Sequence, residues 1–217
     1  MDFNDTPEEA KFRKEVSDWL KENVTKIPEA NDASENSSLE RARAWMQIKH
    51  ESGWACLHWP KEYGGRDATA MERVIYSQEE AKYRLPNGFY EIGQGMAGPV
   101  MMMYATEEQK EKYLPPMANG KEIWCQLFSE PGAGSDLAGI KTKSELNGDT
   151  WTVNGQKVWT SGAHYSDYGI LITRSDFSAA KHKGLTYFFL DMKSPGIEIR
   201  PIKQINGGAN FNEVYFN

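Results

Sequence analysis

In Thr150-Trp151-Thr152-Val153-Asn154-Gly155-Gln156-Lys157-Val158-Trp159-Thr160, two runs rich in β-branched and aromatic residues flank an Asn-Gly pair. Such residues pack well on a pleated surface, and Asn-Gly tolerates the positive φ of a two-residue turn, so the stretch predicts a β-hairpin centred on Asn154-Gly155. In that register Trp151 opposes Val158 and Thr152 opposes Lys157. Trp151, Val153 and Val158 would then share one face while Trp159 points to the other.

Working outward, Ile123 to Phe128, Gly169 to Thr173 and Leu185 to Met192 are further short β-rich runs. Before Glu122 the pattern is helical. Thr6-Pro7-Glu8-Glu9 reads as a capping box with Pro at the first helical position, and Phe12, Val16 and Leu20 follow at a spacing of four, which predicts a helix from Pro7 to Val24. The polar segment Asn31 to Ser38 predicts a loop, followed by a second helix with Leu39, Ala42, Trp45, Met46 and Ile48, ended by Gly53. A Gly-, Trp- and Pro-rich connector runs from Gly53 to Thr69. Met71, Val74, Ile75 and Ala81 mark a third helix closed by Pro86-Asn87-Gly88, and Ile92 to Tyr104 a fourth. Thr106-Glu107-Glu108-Gln109 opens a fifth that ends near Asn119-Gly120. The expected fold class is α+β: an N-terminal all-α domain over 1–122, then an antiparallel β-barrel domain over 123–217.

Composition narrows the function. Of 217 residues, 39% are hydrophobic, enough for a folded core, and 25 Lys+Arg against 31 Asp+Glu give a net charge of -6, which disfavours nucleic acid as a partner. No run approaches the ~20 apolar residues that a membrane span requires. Met1 to Arg13 is acidic and polar, unlike a targeting signal, so a cytoplasmic location is expected. Cys56 and Cys125 are too few for a disulfide framework, and His50, His58, His164 and His182 lack ligand spacing, so no metal is expected.

The densest chemical signal is Trp124-Cys125-Gln126-Leu127-Phe128-Ser129-Glu130-Pro131-Gly132-Ala133-Gly134-Ser135-Asp136, a strand leading into a glycine- and hydroxyl-bearing loop. Such a loop suits an anionic oxygen, as in a pyrophosphate, held by successive N–H groups; it equally suits an ordinary tight turn, since it lacks the Lys of a P-loop and no helical run follows. A second hydroxyl-bearing segment, Lys157-Val158-Trp159-Thr160-Ser161-Gly162, adds an indole. Flavin rings take an aromatic surface against one face and hydrogen bonds at the edge, which Trp159, Ser161 and Ser129 would provide. The alternative is that Trp159 is a core or interface residue and the serines merely end strands.

Together with Gly53-Trp54 to Gly64-Gly65, Ala97-Gly98-Pro99, and Gln109 to Tyr113 with Leu114-Pro115, the Ser129 to Asp136 and Asn154 to Ser161 motifs resemble the acyl-CoA dehydrogenase family along the whole chain. The resemblance implies FAD held between the barrel and a C-terminal four-helix bundle that these residues do not include. It implies flavin contacts from the backbone of Leu127, Phe128 and Ser129, the Ser129 hydroxyl, Gly134 and Ser135 near the pyrophosphate, Trp159 against the ring, and Thr160 and Ser161 at its N5 side.

By the same resemblance Ser135 faces acyl-CoA, and Gln94, Met96, Pro99 and Val100 line an acyl pocket, although a Met-rich run such as Met101-Met102-Met103 reads more simply as core. The implied reaction is α,β-dehydrogenation of a saturated acyl-CoA to a trans-2-enoyl-CoA, in lipid metabolism of the fatty acid β-oxidation type, with an electron-transfer flavoprotein as acceptor and a homo- or hetero-oligomeric assembly. No catalytic residue is assigned, because the base of this family is a Glu of the bundle. Ser129 and Ser161 stand where many relatives carry Thr, and Lys183 to Met192 resembles bacterial members, some of which act on ring-bearing thioesters. Two alternatives stay open: a flavin monooxygenase of the same fold, and a non-catalytic acyl-CoA-binding or scaffold subunit.

Overall fold

The computed structural model describes residues 4–217; residues 1–3, which belong to the predicted first domain and non-signal start, lie outside them. The chain divides into two compact units between Lys121 and Glu122.

The first unit is helical because its local hydrogen bonding and apolar spacing agree. In α1 (Pro7–Asn23) the Thr6 hydroxyl accepts from Glu9 N at 3.3 Å and the Glu9 carboxylate accepts from Thr6 N at 2.7 Å, so the predicted box is present. Val16 and Leu20 then bury against Trp45, Trp54 and Tyr76, with Phe12 and Trp19 packed on that cluster. α2 (Glu35–Glu51) starts inside the segment expected as a loop. Ser34 caps it by accepting from Ser37 N, and a side-chain cap starts a helix without an apolar residue in the first turn. α3 (Ala70–Glu80) carries a further box, Thr69 with Glu72, and stops before Pro86. α4 (Gly98–Tyr104) and α5 (Glu107–Ala118) complete the unit, the latter with the predicted Thr106–Gln109 box.

The predicted fourth helix is not uniform. Gly93–Ala97 forms a π-helical turn before α4, and the N–H of Gly98 bonds Gly93 O in place of Gln94 O. The Gln94 carbonyl is taken instead by the buried Trp59 indole N–H at 2.8 Å. A wide turn of this kind leaves a carbonyl without its i+4 partner, and here the indole supplies the missing donor.

The second unit is a mostly antiparallel curled sheet, as expected. Its strands are β1 (Trp124–Leu127), β2 (Lys143–Asn147), β3 (Thr150–Ser161), β4 (Tyr168–Arg174), β5 (Leu185–Asp191), β6 (Ile197–Ile202) and β7 (Phe211–Phe216). β5 runs antiparallel along the full length of β4, while β4 also pairs β1 in parallel and meets β2 at Lys143↔Arg174. From β2 the sheet continues through β3 and β7 to β6 by antiparallel pairing. Cys125, Leu127, Leu171, Met192, Val214 and Phe216 form its core.

The hairpin expected at Asn154-Gly155 is absent: β3 runs uninterrupted from Thr150 to Ser161. The tight turn lies at Gly148-Asp149, with Gly148 at φ +61, and pairs Leu146 with Trp151 and Asn147 with Thr150. Trp151 and Val158 therefore belong to one strand and cannot face each other. Gly155 is needed for close approach, since a Cβ there would stand 2.7 Å from Thr142 Cα. The first half of β3 pairs β2 and its second half pairs β7, from Gly155↔Phe216 to Ser161↔Phe211. That long-range partner holds Asn154-Gly155 within the strand.

Candidate functional site

The β1 exit is tied to β3 by a buried ion pair. Lys157 is fully buried and donates to Glu130 Oε1 at 2.9 Å and to the Phe128 carbonyl at 3.0 Å. Glu130 in turn accepts from the backbone N–H of Lys141 at 2.6 Å and of Thr142 at 2.9 Å. Burial acts to raise the Glu130 carboxyl, but the hydrogen bonds from Thr142, Lys141 and Lys157 outweigh it and hold it below the usual carboxylate range. Burial lowers the Lys157 ammonium, only partly offset by Glu130. The sequence pattern places Lys157 opposite Thr152 in a hairpin, and nothing in it marks Lys157 and Glu130 as partners.

One residue further on, Val158 N donates to the Ser129 carbonyl at 2.9 Å, so Ser129 is fastened directly beside Trp159. Trp159 sits at φ +59 within the irregular step in the β3–β7 register between Lys157 and Thr160. A bulge there turns the side chain out of the strand's alternation: Lys157, Val158 and Thr160 are buried while the indole is 58% exposed. It packs roughly perpendicular to Phe211, with ring centroids 6.0 Å apart and planes at 86°. A bulky residue in left-handed backbone is a costly conformation that tends to persist at functional sites.

The expected site residues divide by environment. Ser129 is half-buried and Ser161 exposed, so both hydroxyls lie near the surface on either side of the Trp159 bulge. Thr160 is buried; its Oγ1 makes no hydrogen bond, and its carbonyl accepts from Asn212 Nδ2 at 3.0 Å. Leu127 is a core residue, and Phe128 sets its ring edge-on to Tyr187. The carbonyls of Phe128 and Ser129 are engaged by Lys157 Nζ and Val158 N, and the Ser129 hydroxyl belongs to the same half-buried segment.

The glycine loop is a tight turn closed by reciprocal backbone bonds between Glu130 and Ala133, after which Gly134 and Ser135 stand exposed. A cleft of about 280 Å³ opens beside it, bordered by Pro131, Gly132, Lys141 and Gln156.

In the helical unit, the Gln94 side-chain amide donates to Met117 O at 3.2 Å and Met46 Sδ at 3.3 Å, so it is turned into that unit's interior. Met96 is 36% exposed, and Pro99 and Val100 are half-buried. No cluster of His, Cys, Asp or Glu able to hold a metal occurs among the described residues, and none of their helices is long and apolar enough to cross a membrane.

Residues 6–121 match the family model "Acyl-CoA dehydrogenase, N-terminal domain" and residues 125–217 match "Acyl-CoA dehydrogenase, middle domain". The chain is 40% identical over 211 residues to acyl-CoA dehydrogenase IpdE1 of Mycobacterium tuberculosis, covering 95% of this chain and 55% of that protein. Among solved structures, the Tcur3481-Tcur3483 steroid ACAD is similar over 100% of this chain and 56% of that one, at 30% identity and a TM-score of 0.82. The ChsE4-ChsE5 complex from Mycobacterium tuberculosis is similar over 100% and 55%, at 32% identity and a TM-score of 0.82. The chain thus spans about half the length of the relatives it matches.

Proposed function

Because this chain belongs to the acyl-CoA dehydrogenase family, whose members are oxidoreductases that bind FAD, we propose that it supplies the ring-holding wall of a flavin site in one subunit of an acyl-CoA dehydrogenase. The observation that carries this reading is the Val158–Ser129 backbone bond one residue before an outward-facing Trp159. The residues fit a flat, uncharged tricycle: an exposed indole, a hydroxyl on each flanking segment, and the carboxylate that follows Ser129, Glu130, neutralised by Lys157. FAD supplies hydride acceptance at N5 when bound.

Around it, Trp159 covers one face and excludes water, the Ser129 hydroxyl and the Leu127–Ser129 amides orient the pyrimidine edge, and Ser161 orients the edge near N5, with the Thr160 backbone beside it. Gly134 and Ser135 hold the pyrophosphate region, and Ser135 also meets the thioester ligand. Met96, Pro99 and Val100 line the acyl chain, with Gln94 supporting their turn from within.

The reaction is α,β-dehydrogenation of a saturated acyl-CoA thioester to the trans-2-enoyl product, with electrons passed to an electron-transfer flavoprotein. The α-proton is removed by a carboxylate outside these residues. The steroid ACAD and the two-component ChsE4-ChsE5 complex among the similar structures support a ring-bearing thioester rather than a straight fatty acyl chain, and a heteromeric assembly with a second dehydrogenase chain. Anaerobic mixing of the complete flavin-loaded polypeptide with a panel of saturated CoA thioesters tests this. Bleaching of the flavin by a ring-bearing ester is expected; an unbleached flavin across the panel would overturn the reading.

A further inference from the structure

We propose that the buried Lys157–Glu130 pair is a positioning clamp that sets the geometry of the Ser129–Trp159 edge, an inference that rests on the flavin-site reading for its purpose but not for its structure. The pair touches three separate stretches of backbone. Lys157 holds the Phe128 carbonyl where the chain runs into the glycine loop, and Glu130 holds the Lys141 and Thr142 N–H groups where it leaves. Lys157 also precedes Val158, whose N–H binds Ser129 O, and Trp159, whose backbone is left-handed. Both stems of the loop and the bulge thus converge on one ion pair, which is 0% and 7% exposed at its two side chains.

A role in stability alone does not account for this arrangement. Desolvating two charges offsets most of their attraction, and a well-packed apolar pair of similar volume commonly holds a fold as well or better. What an apolar pair lacks is direction. An ammonium and a carboxylate with fixed hydrogen-bond partners specify where three backbone segments lie, to within the tolerance of a hydrogen bond. The segments so specified are those carrying Ser129, the glycine loop and Trp159. Lys157 and Glu130 are positioning residues, acting on a ligand through the backbone they hold.

The test replaces the pair in the 217-residue chain with Lys157→Met/Glu130→Leu, an apolar pair of similar length, and measures amide hydrogen exchange. Exchange at Val158, Lys141 and Thr142 is expected to rise by ~100-fold, while Ile170 in β4 stays protected as in the wild type, the signature of local rather than global opening. Unchanged protection at Val158 would overturn the clamp. A FAD titration of the same substitutions in the complete polypeptide reads the purpose: the dissociation constant is expected to rise ~10-fold or more, with altered shape of the bound flavin's absorption bands. Loosened amides with wild-type affinity and spectrum would overturn positioning of the ring edge. If the wild-type chain in its complete polypeptide takes up no FAD, the flavin reading fails while the exchange data still decide the clamp. Should the double variant not fold, Glu130→Gln, whose single amide oxygen replaces only one of the two carboxylate oxygens that hold Lys141 and Thr142, carries the same measurements and the same expected direction.

Discussion

Gly98→Ala is expected to destabilise the helical unit even though alanine is the best helix former. Gly98 has ordinary helical dihedrals, φ -56 and ψ -54, so alanine meets no backbone strain and propensity alone would favour it by about 1 kcal/mol. A Cβ at this position, however, would stand 2.2 Å from Trp59 Cζ2 and 2.9 Å from Cη2. Carbon atoms in good contact sit ~3.5 Å or more apart, so the ring must retreat by more than ~1 Å. Trp59 is 1% exposed and has no space into which to move without disturbing its neighbours. Overpacking of this kind costs ~1–3 kcal/mol, and a buried indole N–H drawn away from the Gln94 carbonyl adds ~1–3 kcal/mol. Set against the propensity gain, the net loss is about 3 kcal/mol, or roughly 12 °C in Tm for a unit of this size. Thermal melts followed by far-UV circular dichroism measure it, with tryptophan fluorescence reporting the ring. A Tm equal to or above that of the wild type would refute the packing argument.

Trp159→Gly is expected to melt higher than Trp159→Ala, because left-handed backbone costs an L-residue about 1–2 kcal/mol and glycine returns only part of this as unfolded-state entropy. Both variants should bind FAD more weakly than the wild type, and an Ala variant as stable as the Gly variant would show the turn to be unstrained. The carboxyl of Glu130 is depressed in the folded state, so its stabilisation is present above the unfolded value of about 4.3 and is lost as pH falls through the lower folded value. In urea melts the stability gap between wild type and Glu130→Gln should therefore narrow below about pH 4.3; a gap that does not change with pH would contradict this. Burial pushes the thiols of Cys56 and Cys125 up to about 12, so neither should react with a thiol reagent at neutral pH before the chain unfolds. Labelling of either in the native protein, detected by mass spectrometry, would count against the burial of that side chain.

What could be read from the sequence was whatever is decided over a few residues or carried by dense motifs. The Thr6 and Thr106 boxes were legible because donor and acceptor lie three residues apart, and the change from helical to strand patterning past Glu122 was legible because each unit buries one face of its own elements. The motifs at Ser129–Asp136 and Asn154–Ser161 were enough to identify the family, which the domain matches bear out. The Asn154-Gly155 turn failed for the opposite reason: a turn propensity is a local preference of about a kilocalorie, and pairing with Phe211–Phe216 overrode it. The same holds for the π turn at Gly93–Ala97, which exists because Trp59 supplies a donor from far along the chain, and for Lys157, a residue type that pattern reading places in solvent. Helix caps and apolar faces were determined by the sequence itself, since their partners are near neighbours. Which carbonyl lacks a partner, which lysine is buried and which indole is turned outward were decided by tertiary structure, because each depends on groups that only folding brings within hydrogen-bond distance.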